Sequence, residues 1–230
     1  MVKKEITVET YPIKDTVCKF YTEVCKDKNH RFISWEHCYQ HFKSNNIDID
    51  MASLHLAFYL ASWGMYRGSA GILWKDYKIH KEAVRIIIKP EYRMLGEVNL
   101  IKDVDKYKSS LMLLFDELSG YYKGIKYSNG KTIKRINATP TLVTKIILGT
   151  IGAFPALDRF FCDGFKDMHS EVVTKFAPRT IEAILMFTKN NMAQVNKVQD
   201  EVYKMNGHRV KYPPMKIVDM YFWQIGALNE

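Results

Sequence analysis

From Asp105 onward the apolar positions Tyr107, Leu111, Leu114, Phe115 and Leu118 return three and four residues apart, until Gly120. That spacing lines one face of a 3.6-residue helix and cannot line one face of a strand, whose period is two. The same period links Ile181, Ile184, Leu185, Val195, Val198, Val202 and Met205 between Pro178 and Gly207, and predicts one long surface helix there. Asp50 precedes MASLHLAFYLASWGMY, whose alanine, leucine and methionine content favours a helix, placed centrally. Pro213 and Pro214 open a last helix expected to bury Ile217, Met220, Tyr221 and Trp223.

One segment departs from this period. In GIKYSNGKTIKR, Ile125 and Tyr127 precede an Asn-Gly pair and Thr132 follows it, which predicts a small β-hairpin near 125–134 closed by a type I′ turn. The chain therefore reads as all-α, a single multi-helix domain over residues 1–230 with room for two lobes and one hairpin. No repeat, low-complexity tract or Ser/Pro-rich linker divides it.

Of the 230 residues, 47% are hydrophobic and 13% aromatic, enough for a sizeable core, and the net charge is +9. The excess is regional. No acidic residue falls between Glu117 and Asp158, whereas Lys123, Lys126, Lys131, Lys134, Arg135 and Lys145 all do. Such a one-sign patch attracts polyanions, nucleic acid (DNA or RNA) above all, and is otherwise a solvated basic face. Nucleic-acid binding is therefore expected of Lys123, Lys126, Tyr127, Lys131, Lys134 and Arg135, with Tyr121, Tyr122 and Tyr127 stacking on bases.

Cys18, Cys25, Cys38 and Cys162 form no CxxC pair and no dense spacing, so neither a zinc ribbon nor a disulfide framework is suggested. The opening MVKKEITVETYPIKD lacks the apolar stretch of a secretory signal, and a reducing cytoplasm is the expected setting. The nearly uncharged run 138–157 approaches membrane-spanning length, but Lys145, Pro140 and Pro155 interrupt it, so no membrane partner is expected.

ASWGMYRGSAG combines Trp63, Tyr66 and Arg67 with Gly64, Gly68 and Gly71. Those glycines cost a helix roughly 1 kcal/mol each against alanine, which implies close approach of a backbone or a ligand. Arg67 is a candidate partner for a carboxylate or phosphate, and is expected to join the nucleic-acid-binding residues. His37 and His41 stand one helical turn apart beside Cys38, but the glutamate of a HExxH motif is absent, and neither a metal nor a cofactor is expected. Arg31 and His37 match the loose Arg-to-His spacing of HEPN-type ribonucleases, an alternative that would act on an RNA phosphodiester.

TPTLVTKIILGTIGAFPALDRFF carries the chemistry. On a helical wheel Leu142, Val143, Ile146, Ile147 and Ile151 cover most of the circumference, and Lys145 falls on the narrower side with Thr141 and Gly149, at a cleft edge. Its ammonium then snorkels to water, or serves a site. Asp158, after Pro155, is an N-cap or the partner of that lysine. A lysine partly withdrawn from water holds its proton less firmly and can attack an electrophilic carbon, and a nearby carboxylate can stabilise a developing cation.

Lys145, Pro155, Asp158 and Arg159, in lysine, apolar helix, proline turn and aspartate order, resemble about twenty-five residues of the helix-hairpin-helix DNA glycosylase superfamily. The resemblance implies a Schiff base between Lys145 and the deoxyribose C1′, with Asp158 assisting at the start of the next helix. Thr139-Pro140-Thr141 stands where that family has a glycine-rich loop, and the lysine-to-aspartate interval is shorter. SWGMYRGS, TKIILGTIGAFPALDRFF and PPMKIVDMYFWQIG also resemble segments of a group of bacterial proteins of uncharacterised function, which implies no activity.

Three classes of function follow: a glycosylase-type enzyme using Lys145 and Asp158 as catalytic residues, with Arg67 or Tyr66 as a third wall of the cleft; a nucleic-acid binder using the basic surface alone; and a helical interaction module, phage-related or of a toxin system, using neither.

Overall fold

Proline and aspartate punctuate the chain into helices. The computed structural model describes residues 7–67, 70–97, 103–169 and 175–228. In order these form α1 (Ile13–Cys25), α2 (Ile33–Lys43), α3 (Ile49–Ser62), α4 (Lys81–Ile87), α5 (Pro90–Arg93), α6 (Val104–Gly124), β1 (Lys126–Ser128), β2 (Ile133–Arg135), α7 (Pro140–Thr150), α8 (Arg159–Met168), α9 (Pro178–Asn190), α10 (Met192–Met205) and α11 (Pro214–Leu228). The fold is all-α, with an antiparallel hairpin as the only sheet among the described residues. No described helix is long and apolar enough to cross a membrane.

Side-chain caps fix several helix starts. Asp48 accepts from the Met51 amide, Asp103 from that of Lys106, Thr139 from that of Leu142 and Asp158 from that of Phe161. Asp48 caps α3, and Asp50 in its first turn accepts from the Tyr77 hydroxyl and pairs with Lys81. Gly120 does not stop α6, which continues to Gly124, because the packed face carries on through buried Ser119 and Tyr122.

The stripe from Pro178 to Gly207 is two helices, not one. At Asn191 the backbone leaves helical space (φ −107°, ψ 13°), and its side-chain amide donates to the Phe187 carbonyl at 2.9 Å. Asparagine competes for backbone groups in this way, so an apolar period can pass through a break without showing it.

The hairpin pairs Lys126 with Arg135, Tyr127 with Lys134 and Ser128 with Ile133. Its turn is not type I′, which needs positive φ at both central residues: Gly130 has φ 84°, but Asn129 stays negative. Residues 129–132 form a longer loop in which Asn129 Oδ1 accepts from the amides of Lys131 and Thr132 at 3.1 and 2.9 Å.

A single cluster of buried side chains joins the helices into one core. At its centre lies α7, in which every residue from Leu142 to Thr150 is buried, with α2, α3 and α6 packed against it. The central position expected of α3 belongs to α7, because α3 leaves Met51, Leu54 and Phe58 exposed along one face. The most extensive helix pair is α8 on α11.

Candidate active site

The turn between α7 and α8 is fastened at three points, and this aims Asp158. Thr141 Oγ1 donates to the Leu157 carbonyl at 2.8 Å, and the Leu157 amide donates to Thr144 Oγ1 at 2.9 Å. The Ala156 amide donates to Asp219 Oδ1 of α11 at 3.0 Å. Gly152 (φ 65°) lets the chain leave α7 under Pro213, whose Cγ would lie 2.4 Å from any Cβ at that position.

Asp158 then serves two groups. Its Oδ1 accepts from the Phe161 amide at 3.1 Å, capping α8, and its Oδ2 accepts from Lys145 Nζ at 2.7 Å. The Lys145 side chain is only 4% exposed and that of Asp158 16%. The Lys145 charge does not snorkel to water: the side chain is buried, because the fixed turn brings a carboxylate to the ammonium and makes the route to solvent unnecessary. Both the cap and the pair readings of Asp158 hold together, since a carboxylate has two oxygens.

Beside this pair stands a second. Lys216 Nζ donates to Asp219 Oδ2 at 2.8 Å, with side-chain exposures of 2% and 8%. Both pairs line one cleft with Phe20, Phe32, Trp63 and Trp223. These four rings close a circuit of contacts, three edge-on and one tilted: Phe20 to Phe32 at 5.2 Å, Phe32 to Trp63 at 5.8 Å and Trp63 to Trp223 at 6.2 Å edge-on, and Trp223 to Phe20 at 5.5 Å tilted. Lys145 Nζ sits 4.8 Å from the Trp63 ring centre and Lys216 Nζ 4.4 Å from that of Phe32, so each ammonium has an aromatic face as well as a carboxylate.

Burial pushes the Lys216 amine below the usual lysine range, against the opposing pull of Asp219. The Trp63 indole N–H is buried with no acceptor among the described residues. The cleft leaves about 10 Å³ for water centres, room for roughly one water. Trp63 and Trp223, both half-buried, stand at this cleft.

Tyr66 and Arg67 do not form the third wall; Trp63 of the same segment does. α3 ends at Ser62, and residues 63–67 are turns and bends rather than helix. The Tyr66 hydroxyl is bound to His80 Nε2 at 2.8 Å, and Arg67 is exposed outside the lining residues. Gly71 packs against the Tyr127 ring, which a Cβ there would meet at 2.3 Å, while Gly68 lies outside the described residues.

The hairpin displays Lys126, Lys131, Lys134 and Arg135 to solvent, together with Ile133, and Lys123 is exposed in the last turn of α6 beside it. The tyrosines meant to stack on bases are not displayed with them. Tyr127 and Tyr122 are buried, Tyr122 being bonded to His80 Nδ1 at 2.6 Å, and half-buried Tyr121 donates to the Ile79 carbonyl. A ring spent on packing cannot also stack on a base.

No group of three or more potential ligands among the described residues could hold a metal; Cys38 is buried, and His41 stacks on His55 at 4.6 Å. Arg31 and His37 have different neighbours: Arg31 lies over the Trp63 ring at 4.9 Å, whereas exposed His37 is near His55.

Lys216 and Asp219 escaped the sequence reading. Their signal was a Lys-x-x-Asp pair inside the apolar run PPMKIVDMYF, a charged couple where the period demands core. No family model, no curated protein and no solved structure matches this chain.

Proposed function

We propose that this protein is a nucleic-acid-binding enzyme of glycosylase or lyase type, in which Lys145 and Asp158 act on a sugar carbon. The observation that carries the reading is the 2.7 Å contact between Lys145 Nζ and Asp158 Oδ2 inside an aromatic-walled cleft. An amine, a carboxylate and flat apolar walls suit attack on C1′ of a deoxyribose: the unprotonated amine bonds to C1′ as the bond from C1′ to the base breaks, the base leaves with that electron pair and takes the proton the nitrogen gives up, the carboxylate stabilises the cationic character that develops, and the rings cover the apolar face of the sugar. The exposed basic hairpin supplies the phosphate contacts that hold the strand.

Borohydride trapping on DNA carrying an abasic site tests the reading, because reduction makes a Schiff base permanent. A covalent adduct is expected, with Lys145→Ala abolishing it and Asp158→Asn slowing base loss while leaving trapping of a preformed abasic site. Binding should fall steeply with salt and be lost when Lys123, Lys126, Lys131, Lys134 and Arg135 become glutamine together. Absence of any adduct on single- or double-stranded DNA would remove the enzymatic half of the proposal, and unaltered binding by the five-fold variant the other half.

A further inference from the structure

Of the two lysines in the cleft, Lys216 stands where an ammonium is least at ease. It is the third residue of α11, inside the first turn, where the helix dipole presents its positive end. Its side chain is 2% exposed. The charged groups that bear on it are Asp219 at 2.8 Å, Lys145 and Asp158, while the Phe32 and Trp35 rings lie 4.4 and 5.1 Å from Nζ. A second lysine close enough to repel it adds to the helix end.

We propose that Lys216 is a carbonyl-condensing amine, and that its substrate class is a small aldehyde or the aldehyde end of a ring-opened sugar. This rests on the reading that the cleft does amine chemistry on a sugar, and differs from it in the nitrogen that bonds. Asp219 Oδ2, already hydrogen-bonded to Nζ, takes one proton and frees the lone pair. Nitrogen adds to the carbonyl carbon and the C=O π pair moves to oxygen. The oxygen collects the proton held by Asp219 and a second from nitrogen, and leaves as water. An iminium with one N–H remains, paired with the restored Asp219 carboxylate, so charge and atoms balance. The lowered basicity of Lys216 agrees with this role, since only the unprotonated amine can add.

Formaldehyde, the carbonyl closest in size to water, is the probe. The full chain is treated with limiting formaldehyde and cyanoborohydride at mildly acidic pH, where exposed lysines stay protonated, and methylated sites are mapped by peptide mass. Lys216 should react ahead of Lys131 and Lys134, by about tenfold for each unit of basicity it has lost. Lys216→Met should remove the fast site and leave the surface rates unchanged. If Lys145 outpaces Lys216, this assignment falls while the Lys145 reading stands. If neither outpaces the surface lysines, the assignment falls outright. Fast labelling of Lys216 with no adduct to abasic DNA would uphold it and defeat the assignment of glycosylase or lyase chemistry to Lys145.

Discussion

Gly164 of α8 and Gly226 of α11 face each other so closely that a Cβ on Gly164 would lie 2.1 Å from the Phe222 carbonyl oxygen and 2.8 Å from the Gly226 amide nitrogen. A Cβ on Gly226 would lie 1.9 Å from the Phe160 carbonyl oxygen. The obstacles are backbone atoms, which cannot rotate away. Because Asp158 caps α8 and Lys216 and Asp219 lie on α11, this contact also sets the distance between the two charged pairs.

Gly164→Ala or Gly226→Ala should therefore separate the two helices at a cost of about 1–3 kcal/mol. The urea midpoint reads the loss. An unchanged midpoint in both variants would mean that the helix pair accommodates a methyl group without moving.

The two roles of Asp158 separate by substitution. Asp158→Asn keeps a good N-cap but leaves the Lys145 ammonium buried without its anion, which should cost about 3–5 kcal/mol. Lys145→Met in the same chain should restore much of that loss, since no uncompensated buried cation remains. A double-mutant cycle by chemical denaturation checks it, and additive losses would show that the pair is not coupled.

Glu36 is another buried anion, held by different means. Its Oε1 accepts from the hydroxyls of Tyr21 and Tyr212, each at 2.7 Å, and Arg209 lies 3.6 Å from Oε2. These bonds tie α1 and the strap before α11 to α2. Tyr21→Phe or Tyr212→Phe should each cost about 1.5–3 kcal/mol, as expected for hydrogen bonds to a charged group. The double variant should cost more than the sum, because the carboxylate then keeps only its partly exposed arginine; thermal unfolding at one pH reads all three.

His80 is fully buried between the Tyr66 and Tyr122 hydroxyls, and burial lowers its pKa from 6.5 to about 3. The unfolded chain therefore takes up a proton as pH falls through 6.5, whereas the folded chain does so only near 3. Stability from this group is present above the unfolded value and declines in between, at a slope approaching about 1.4 kcal/mol per pH unit. Burial also lowers His55 and His169, so the comparison is with His80→Gln, whose stability should fall less steeply with acid. Parallel curves for the two chains would show that His80 does not set the slope.

The amino-acid sequence by itself determined the helical class, the place of the hairpin, the basic stretch and the fact that Lys145 and Asp158 sit oddly in an apolar segment. These are local matters: a period of 3.6, an Asn-Gly pair and a charge in a greasy run are all written within a dozen residues. The sequence did not determine the break at Asn191, because the apolar stripe continues across it. Only the tertiary structure decided that Lys145 is buried and paired, that Trp63 rather than Tyr66 or Arg67 walls the cleft, and that Tyr122 and Tyr127 are spent on packing. Lys216 and Asp219 enter the site for the same reason. Their place depends on α8 and α11 meeting at Gly164 and Gly226 and on the Ala156 amide reaching Asp219, contacts spanning more than sixty residues of chain that no local pattern encodes.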